Sequence, residues 1–307
     1  MARYPKKLAP GATIGLVCMS SPIPRKAVDH CKETLEALGY GVKLAGNLST
    51  VYGGYMAGTG EERARWIRDM FLDPQVEAIF CVRGGDGGSR IMDLLDFDEL
   101  RAHPKIFMGY SDVTSLHLAL NQECDLVSFH GPMVYSNMLG GMDPDTQAGL
   151  FRALTAQGDF PFVNPPEEPL RVLKKGQAQG QLVGGNLALL SASLGTAYEV
   201  NTQGKILFIE DVDEGIHRLE RYACQLKNAG KYEAAAGILL GQFTDCKNTT
   251  MVEYDEIRLF EDLLRDYDIP VMYNLQSGHG DKIITLPLGA SCTMDTETKT
   301  IKFACQR

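Results

Sequence analysis

A serine, a carboxylate and a histidine stand far apart in this chain, each where it is able to react. They are Ser111 in Gly109-Tyr110-Ser111-Asp112, Glu210 in Ile209-Glu210-Asp211, and His279 in Gly278-His279-Gly280. Each follows a short apolar run that reads as a strand, so all three fall at C-terminal strand ends, where open α/β sheets gather their ligands. A hydroxyl to attack, an imidazole to take its proton and a carboxylate to orient the imidazole are the minimum parts of a nucleophilic triad. The chain order Ser…Glu…His is one of the orders in which such triads have arisen. Plainer readings stand beside this one. Ser111 is also a fitting helix cap, Glu210 a surface ion-pair partner, and His279 a structural histidine, although its two flanking glycines would clear space around the ring.

The Ser111 stretch reads as strand, sharp turn and helix. Ile106, Phe107 and Met108 form an apolar run bounded by Pro104 and Gly109. Val113, Leu116 and Leu120 then share one helical face, with Asp112 suited to the positively polarised first turn. A serine at such a turn is lifted at the sheet edge, and the N–H of the next residue, Asp112, points where an oxyanion would form. Of the rival bases, His117 lies six residues into the helix, about 9 Å along its axis, and His130 ends a strand. Successive strand residues face opposite sides, so only one of Glu210 and Asp211 can serve the histidine, and Glu210 is the expected one.

A second loop bears on the same chemistry. The apolar run 76–82 opens into Arg83-Gly84-Gly85-Asp86-Gly87-Gly88-Ser89-Arg90. Glycine-rich turns between strand and helix cradle phosphate, but this one lacks both the Lys-Ser/Thr of a P-loop and the GxGxxG spacing. The same glycines can bring backbone N–H groups to a reacting carbonyl, or simply meet the needs of a tight turn. Arg83 suits either a substrate carboxylate, read in bidentate fashion, or an ion pair that ties the loop down.

The elements that must position these residues follow from periodicity. Strands are expected over 13–18, 42–44, 76–82, 106–108 and 126–129, alternating with helices over 24–38, 61–72 and 144–155, as in a parallel α/β sheet. Residues 157–169 hold Gly158, Pro161, Pro165, Pro166 and Pro169 and read as a linker. Beyond it come short strands over 170–182, a helix over 187–194, a strand over 205–209 ending at Glu210, and a helix over 214–229. Strands over 236–240 and 270–275 flank a helix over 254–267, and the last thirty residues alternate as a terminal β-meander would. The fold class expected is α/β: an N-terminal parallel-sheet α/β domain (1–156) and a C-terminal β-rich α/β domain (170–307).

Composition narrows the function. The 307 residues are 44% hydrophobic and 22% charged, with a net charge of −9, which is ordinary for a soluble globular chain. An acidic chain without a Lys/Arg cluster argues against nucleic acid and anionic membranes as partners. No apolar run reaches membrane-span length, and the N-terminus has no signal-peptide core, so a cytoplasmic location is expected. Eight scattered cysteines without a CxxC read as buried free thiols. No HExxH or Cys/His ligand spacing is present, so no metal and no cofactor are expected.

Taken together, these motifs resemble the LD-carboxypeptidase family of serine peptidases, which also includes microcin C self-immunity hydrolases. The resemblance runs over nearly the whole chain. It rests on the strand-plus-glycine run ending Arg83-Gly84-Gly85, on Gly109-Tyr110-Ser111-Asp112 and on His130-Gly131-Pro132. It continues through Gly180-Gln181-Leu182-Val183-Gly184-Gly185-Asn186-Leu187, through Ile209-Glu210-Asp211 with Arg218-Leu219-Glu220-Arg221, and through Gly278-His279-Gly280 before Leu286-Pro287-Leu288-Gly289. The resemblance implies Ser111 as nucleophile, His279 as general base and Glu210 as its orienter. It implies an oxyanion hole from the N–H groups of Asp112 and Gly85, with Arg83, Gly84 and Asn186 near the substrate. It also implies a small peptide or muropeptide substrate and a homodimer. Two departures stand out: His217 where an aromatic precedes Arg218, and Val113 in place of the second glycine of a G-x-S-x-G turn.

The leading expectation is a serine carboxypeptidase that cuts the L,D bond to a terminal D-alanine in murein tetrapeptides, in peptidoglycan recycling. The alternative on the same fold is a hydrolase of peptidyl- or aminoacyl-nucleotides, although no aromatic insertion suited to stacking a nucleotide is evident. From another class, a non-catalytic nucleotide or sugar-phosphate binding module would use the glycine loop.

Overall fold

The first apolar run, Thr13–Val17 (β1), is buried from its second residue onward. It pairs in parallel on both sides, with Gly41–Leu44 (β2) and Ala78–Cys81 (β3). Ile106–Gly109 (β4) and Ser128–His130 (β5) extend the sheet in the same direction. In this computed structural model, which describes residues 2–251 and 253–305, β3, β4 and β5 are buried at every position. That is the signature of a parallel sheet covered on both faces. The covering helices are Arg25–Ala37 (α1), Gly60–Leu72 (α2), Phe97–Ala102 (α3), Thr114–Glu123 (α4) and Pro144–Thr155 (α5). Helix α2 opens on a reciprocal cap. The Thr59 hydroxyl accepts from the Glu62 N–H, and the Glu62 carboxylate accepts from the Thr59 N–H.

The second half forms an eight-stranded mixed sheet. Its strands are Phe160–Pro161 (β6), Arg171–Lys174 (β7), Gln177–Asn186 (β8), Ile206–Val212 (β9), Gly237–Thr244 (β10), Val271–Tyr273 (β11), Ser291–Asp295 (β13) and Thr300–Phe303 (β14), with Leu286–Leu288 (β12) belonging elsewhere. The order is β6-β14-β13-β8-β9-β10-β11-β7. Strands β8 to β11 run parallel at the centre, and antiparallel pairs close both sides. Helices Leu187–Ala192 (α6), Ile216–Asn228 (α7), Lys231–Ala234 (α8) and Glu256–Leu263 (α9) connect the strands.

Four local expectations change. The terminal segment is not a meander: β12 leaves its neighbours and pairs antiparallel with β5, giving the first sheet the order β12-β5-β4-β3-β1-β2. Its Leu286 and Leu288 are fully buried there, so burial decides the pairing over sequence proximity. The expected short strands over 170–182 are β7 and one ten-residue strand, β8. The first half of β8 pairs with β13 and its second half with β9. The strand over 205–209 runs on to Val212, so Glu210 and Asp211 lie inside β9, and Glu210 is in register with Asn186 of β8. Within the predicted linker, Phe160 and Pro161 pair with β14.

Candidate active site

Ser111 sits between β4 and α4 at φ +67°, a left-handed conformation that costs a non-glycine residue energy and recurs at functional turns. It does not cap a helix: neither the short 3-10 turn at Ser111–Val113 nor α4 has a side-chain cap hydrogen bond. Packing holds the turn in place. A Cβ at Gly109 would meet Cys81 and both Val113 methyls at 3.0 Å, and one at Gly84 would meet the Ser111 Cβ at 2.9 Å and Oγ at 3.0 Å. The backbone of the glycine loop therefore lies directly against the serine. Gly84 is the glycine in contact with Ser111, while Gly85, at φ +114°, lies against Ser21.

Asp112, expected to favour the first helical turn, instead turns its buried carboxylate to the glycine loop and accepts the Gly88 N–H at 2.6 Å. Thr114, the first residue of α4, accepts the Asn186 N–H at 3.1 Å, which docks α4 on β8 across the two sheets.

On the other side, His279 Nδ1 lies 2.6 Å from Glu210 Oε2. Glu210 is fully buried and His279 largely so. Burial alone would lower the His279 pKa, but the charge and hydrogen bond of Glu210 outweigh it and hold the imidazole above its ordinary value. The flanking glycines do not leave the ring in open space, as expected from sequence. A Cβ at Gly278 would meet Glu210 Oε2 at 3.0 Å, and one at Gly280 would meet the Gln242 amide at 2.2 Å. They are glycines because the carboxylate and Gln242 come that close. Gln242 also accepts the Gly280 N–H at 2.9 Å. The two halves meet at Tyr110, the residue before Ser111, whose ring lies edge-on to His279 at 4.8 Å.

The other carboxylate and the other histidines have different surroundings. Asp211 faces away from His279, accepting from the Asn186 amide at 2.8 Å and the Ala188 N–H at 3.0 Å. Burial raises it to about 6. Asn186 also caps α6, its carbonyl accepting from the Leu189 N–H, so both ends of its amide are engaged within the protein. His117 is buried, with Nδ1 2.8 Å from the Ser128 hydroxyl and Nε2 2.9 Å from the Gly109 carbonyl. Burial lowers it to about 4. His130 lies between the Tyr110 and Phe208 rings with neither nitrogen paired, and burial holds it well below its ordinary value. Neither His117 nor His130 is paired with a carboxylate among the described residues.

Beside His279 opens a polar cleft of about 390 Å³, lined by Tyr110, Ser136, Asn137, Asp143 and Thr146 among others. Arg83 lies in contact with the Pro22 carbonyl at 3.4 Å and over the Tyr135 ring at 6.0 Å. No carboxylate among the described residues forms the ion pair that the plainer reading of Arg83 requires. A more apolar cavity, between Met92, Leu118, Leu189 and Tyr198, includes none of Ser111, Glu210 and His279. Among the described residues no set of three His, Cys, Asp or Glu side chains is grouped as metal ligands, and no helix is long and apolar enough to cross a membrane.

Sequence reasoning missed Arg63, Gln242 and Thr114. Arg63 had a readable signal: it falls on the helical stripe with Ala64, Ile67, Met70 and Phe71, where a charge is out of place.

The probable murein peptide carboxypeptidase of Bacillus subtilis is 41% identical over 301 residues, covering 96% of this chain and 92% of that protein. The solved muramoyltetrapeptide carboxypeptidase from Oxalobacter formigenes superposes with a TM-score of 0.84 at 27% identity, over 96% of this chain and 99% of that one. The microcin C7 self-immunity protein MccF in complex with aspartyl sulfamoyl adenosine superposes with a TM-score of 0.88 at 26% identity, over 100% and 99% of the two chains. Residues 14–131 match the LD-carboxypeptidase N-terminal domain and residues 179–294 the LD-carboxypeptidase C-terminal domain, and the chain belongs to the LD-carboxypeptidase family.

Proposed function

We propose that the chain is a serine carboxypeptidase that releases the terminal D-alanine of murein tetrapeptides by hydrolysing its bond to the L-centre of a diamino acid. The observation that carries this reading is the 2.6 Å contact between His279 Nδ1 and Glu210 Oε2, on a site whose serine is held at φ +67°. With Nδ1 committed to the carboxylate, Nε2 is the nitrogen left to take the Ser111 proton. Ser111 Oγ attacks the carbonyl carbon, and the resulting oxyanion is received by the N–H groups of Asp112 and Gly85. His279 passes the proton to the departing amine of D-alanine, leaving an ester on Ser111. Water, deprotonated by the same imidazole, then hydrolyses the ester and restores the serine.

A carboxypeptidase must also read a free carboxylate. Arg83, without a carboxylate partner of its own among the described residues, supplies the fork, and the Gly84 N–H adds a donor beside Ser111. Asn186 acts at one remove, through Asp211. We place the activity in the cytoplasm, on cell-wall peptides returned for reuse, and expect a homodimer; eight free cysteines, seven of them buried, suit a reducing compartment.

The likeness to MccF favours a second reading, hydrolysis of an aminoacyl-nucleotide on the same triad. Three substrates separate the two: a murein tetrapeptide, its C-terminal amide, and an aminoacyl-sulfamoyl adenylate. The tetrapeptide should be cleaved with release of D-alanine. The amide should lose about 10–100-fold in kcat/KM, because a buried donor left unpaired costs roughly 1–3 kcal/mol. Preference for the adenylate would establish the second reading, and equal cleavage of acid and amide would sink the carboxypeptidase.

A further inference from the structure

Among the described residues Arg63 is the one arginine that is fully buried, at 0% exposure. Its guanidinium forms no ion pair with a carboxylate among the described residues, an expensive way to bury a charge. Instead Nη1 donates to the carbonyls of Met19 and Gly87, the latter at 2.8 Å, and Nη2 approaches the Met56 sulfur at 3.5 Å. The Gly87 carbonyl belongs to the same peptide unit as the Gly88 N–H, and that N–H donates to Asp112 Oδ2 at 2.6 Å. One peptide unit is thus held between a cation at its oxygen and an anion at its N–H, with its dipole aligned to both.

We propose that Arg63 and Asp112 are positioning residues that clamp the Gly87–Gly88 peptide and so hold the glycine loop against Ser111; this rests on reading that loop as half of the oxyanion hole. Gly85 at φ +114° and Gly87 at φ +100° give the loop wide backbone freedom. Turning the 87–88 peptide over would break a charge-assisted hydrogen bond at each end. The contacts are close: a Cβ at Gly88 would meet Asp112 Oδ2 at 2.7 Å, and one at Gly87 would meet Met56 at 3.0 Å and Arg63 Nη1 at 3.4 Å. The other end of the loop is tied as well, with the Ser21 N–H donating to the Gly84 carbonyl and the Asp86 N–H to the Ser21 hydroxyl. Asp112 has a double part. Its own N–H is one oxyanion donor, and its side chain grips the loop that carries the other. The spacing between the two donors is therefore set by a single residue.

The test measures kcat, KM and thermal midpoint on murein tetrapeptide for Arg63→Met, Arg63→Lys, Asp112→Asn and the double variant Arg63→Met/Asp112→Asn, beside wild type and Ser111→Ala. Arg63→Met should lower kcat by about 100-fold with KM within about threefold, the effect of a misplaced oxyanion donor. Arg63→Lys, which keeps the charge, should regain about tenfold of that loss. Asp112→Asn should lower kcat by about tenfold, and the double variant should fall no further than Arg63→Met, since both act on one peptide. A folded Arg63→Met with kcat near wild type, or losses that multiply in the double variant, would overturn the clamp. Should Arg63→Met fail to fold, Arg63→Lys and Asp112→Asn decide by the same split of kcat from KM. Wild type that hydrolyses neither the murein tetrapeptide nor an aminoacyl-sulfamoyl adenylate would overturn the oxyanion reading itself and the clamp with it. Active, Ser111-dependent wild type with indifferent variants would overturn the clamp alone.

Discussion

Ser111 and His279 come from different sheets and are fixed by different forces. The serine is held by backbone and packing: a left-handed turn, Gly109 pressed between Cys81 and Val113, and Gly84 in contact with its side chain. The histidine is held by charge, through a buried carboxylate that outweighs the cost of burying the ring. His117 sharpens the contrast. It is as deeply placed as any residue of the molecule, yet it faces a hydroxyl and a carbonyl, and burial takes it down to about 4. The same side chain is thus a neutral strut under β4 and a carboxylate-paired imidazole beside β9, and the neighbouring carboxylate makes the difference. The Ser111 half should accordingly respond to changes in backbone shape, and the His279 half to changes in charge and pH.

The largest effect separates activity from stability at Ser111. Ser111→Gly should abolish turnover by about 10³-fold or more, as loss of a triad member does, while raising stability by roughly 1 kcal/mol because glycine accepts φ +67° without strain. Denaturant melts and D-alanine release measure both, and a destabilised Ser111→Gly would break the claim that backbone strain holds this half.

Next comes the carboxylate pair. Glu210→Gln should lower kcat/KM by about 10³–10⁴-fold. Asp211→Asn, which perturbs the ties to Asn186, Ala188 and Val212, should keep activity within about tenfold of wild type and lose roughly 1 kcal/mol of stability. A severe loss confined to Asp211→Asn would exchange their roles.

The pH profile gives a smaller but more specific signature. Only the neutral imidazole can take the Ser111 proton. A histidine held above its ordinary value of 6.5 is protonated, and inactive, up to a higher pH. Activity should therefore fall as pH drops through a point above 6.5, and in the residual activity of Glu210→Gln that limb should move downward. A limb that does not move would show that Glu210 does not set the base. The smallest catalytic effect is expected at His117→Gln, with kcat within about threefold and a stability loss of roughly 1–3 kcal/mol for the disturbed buried hydrogen bonds.

Much of this arrangement was legible in the residues. The helix over 144–155 begins and ends where the periodicity puts it. The strand–turn–helix around Ser111 was readable because an apolar run, a glycine and an amphipathic stretch are all local signals. Non-local decisions were not. Nothing in Leu286-Pro287-Leu288 says that it will leave its neighbours for β5, because pairing is decided by which buried edge is available. The spacing of Glu210 and Asp211 says that the two face opposite ways, but not that β9 continues past both. Arg63 was passed over although it falls on the apolar stripe, because α2 also carries Arg65 and Arg68 and an arginine among others reads as solvent-facing, and the carbonyls it donates to carry no side-chain signature. Cap, turn and strand chemistry is written in neighbouring residues, whereas a clamp on a peptide unit is written in three segments at once.

The central claim is that a serine from one sheet is activated by a histidine–carboxylate pair from the other, and a covalent probe tests it most directly. A phosphonate ester carrying the tripeptide part of the substrate should attach to Ser111, located by peptide mass mapping, and should do so about 10³-fold more slowly in His279→Ala. Attachment to another residue, or equal rates with and without His279, would contradict the account.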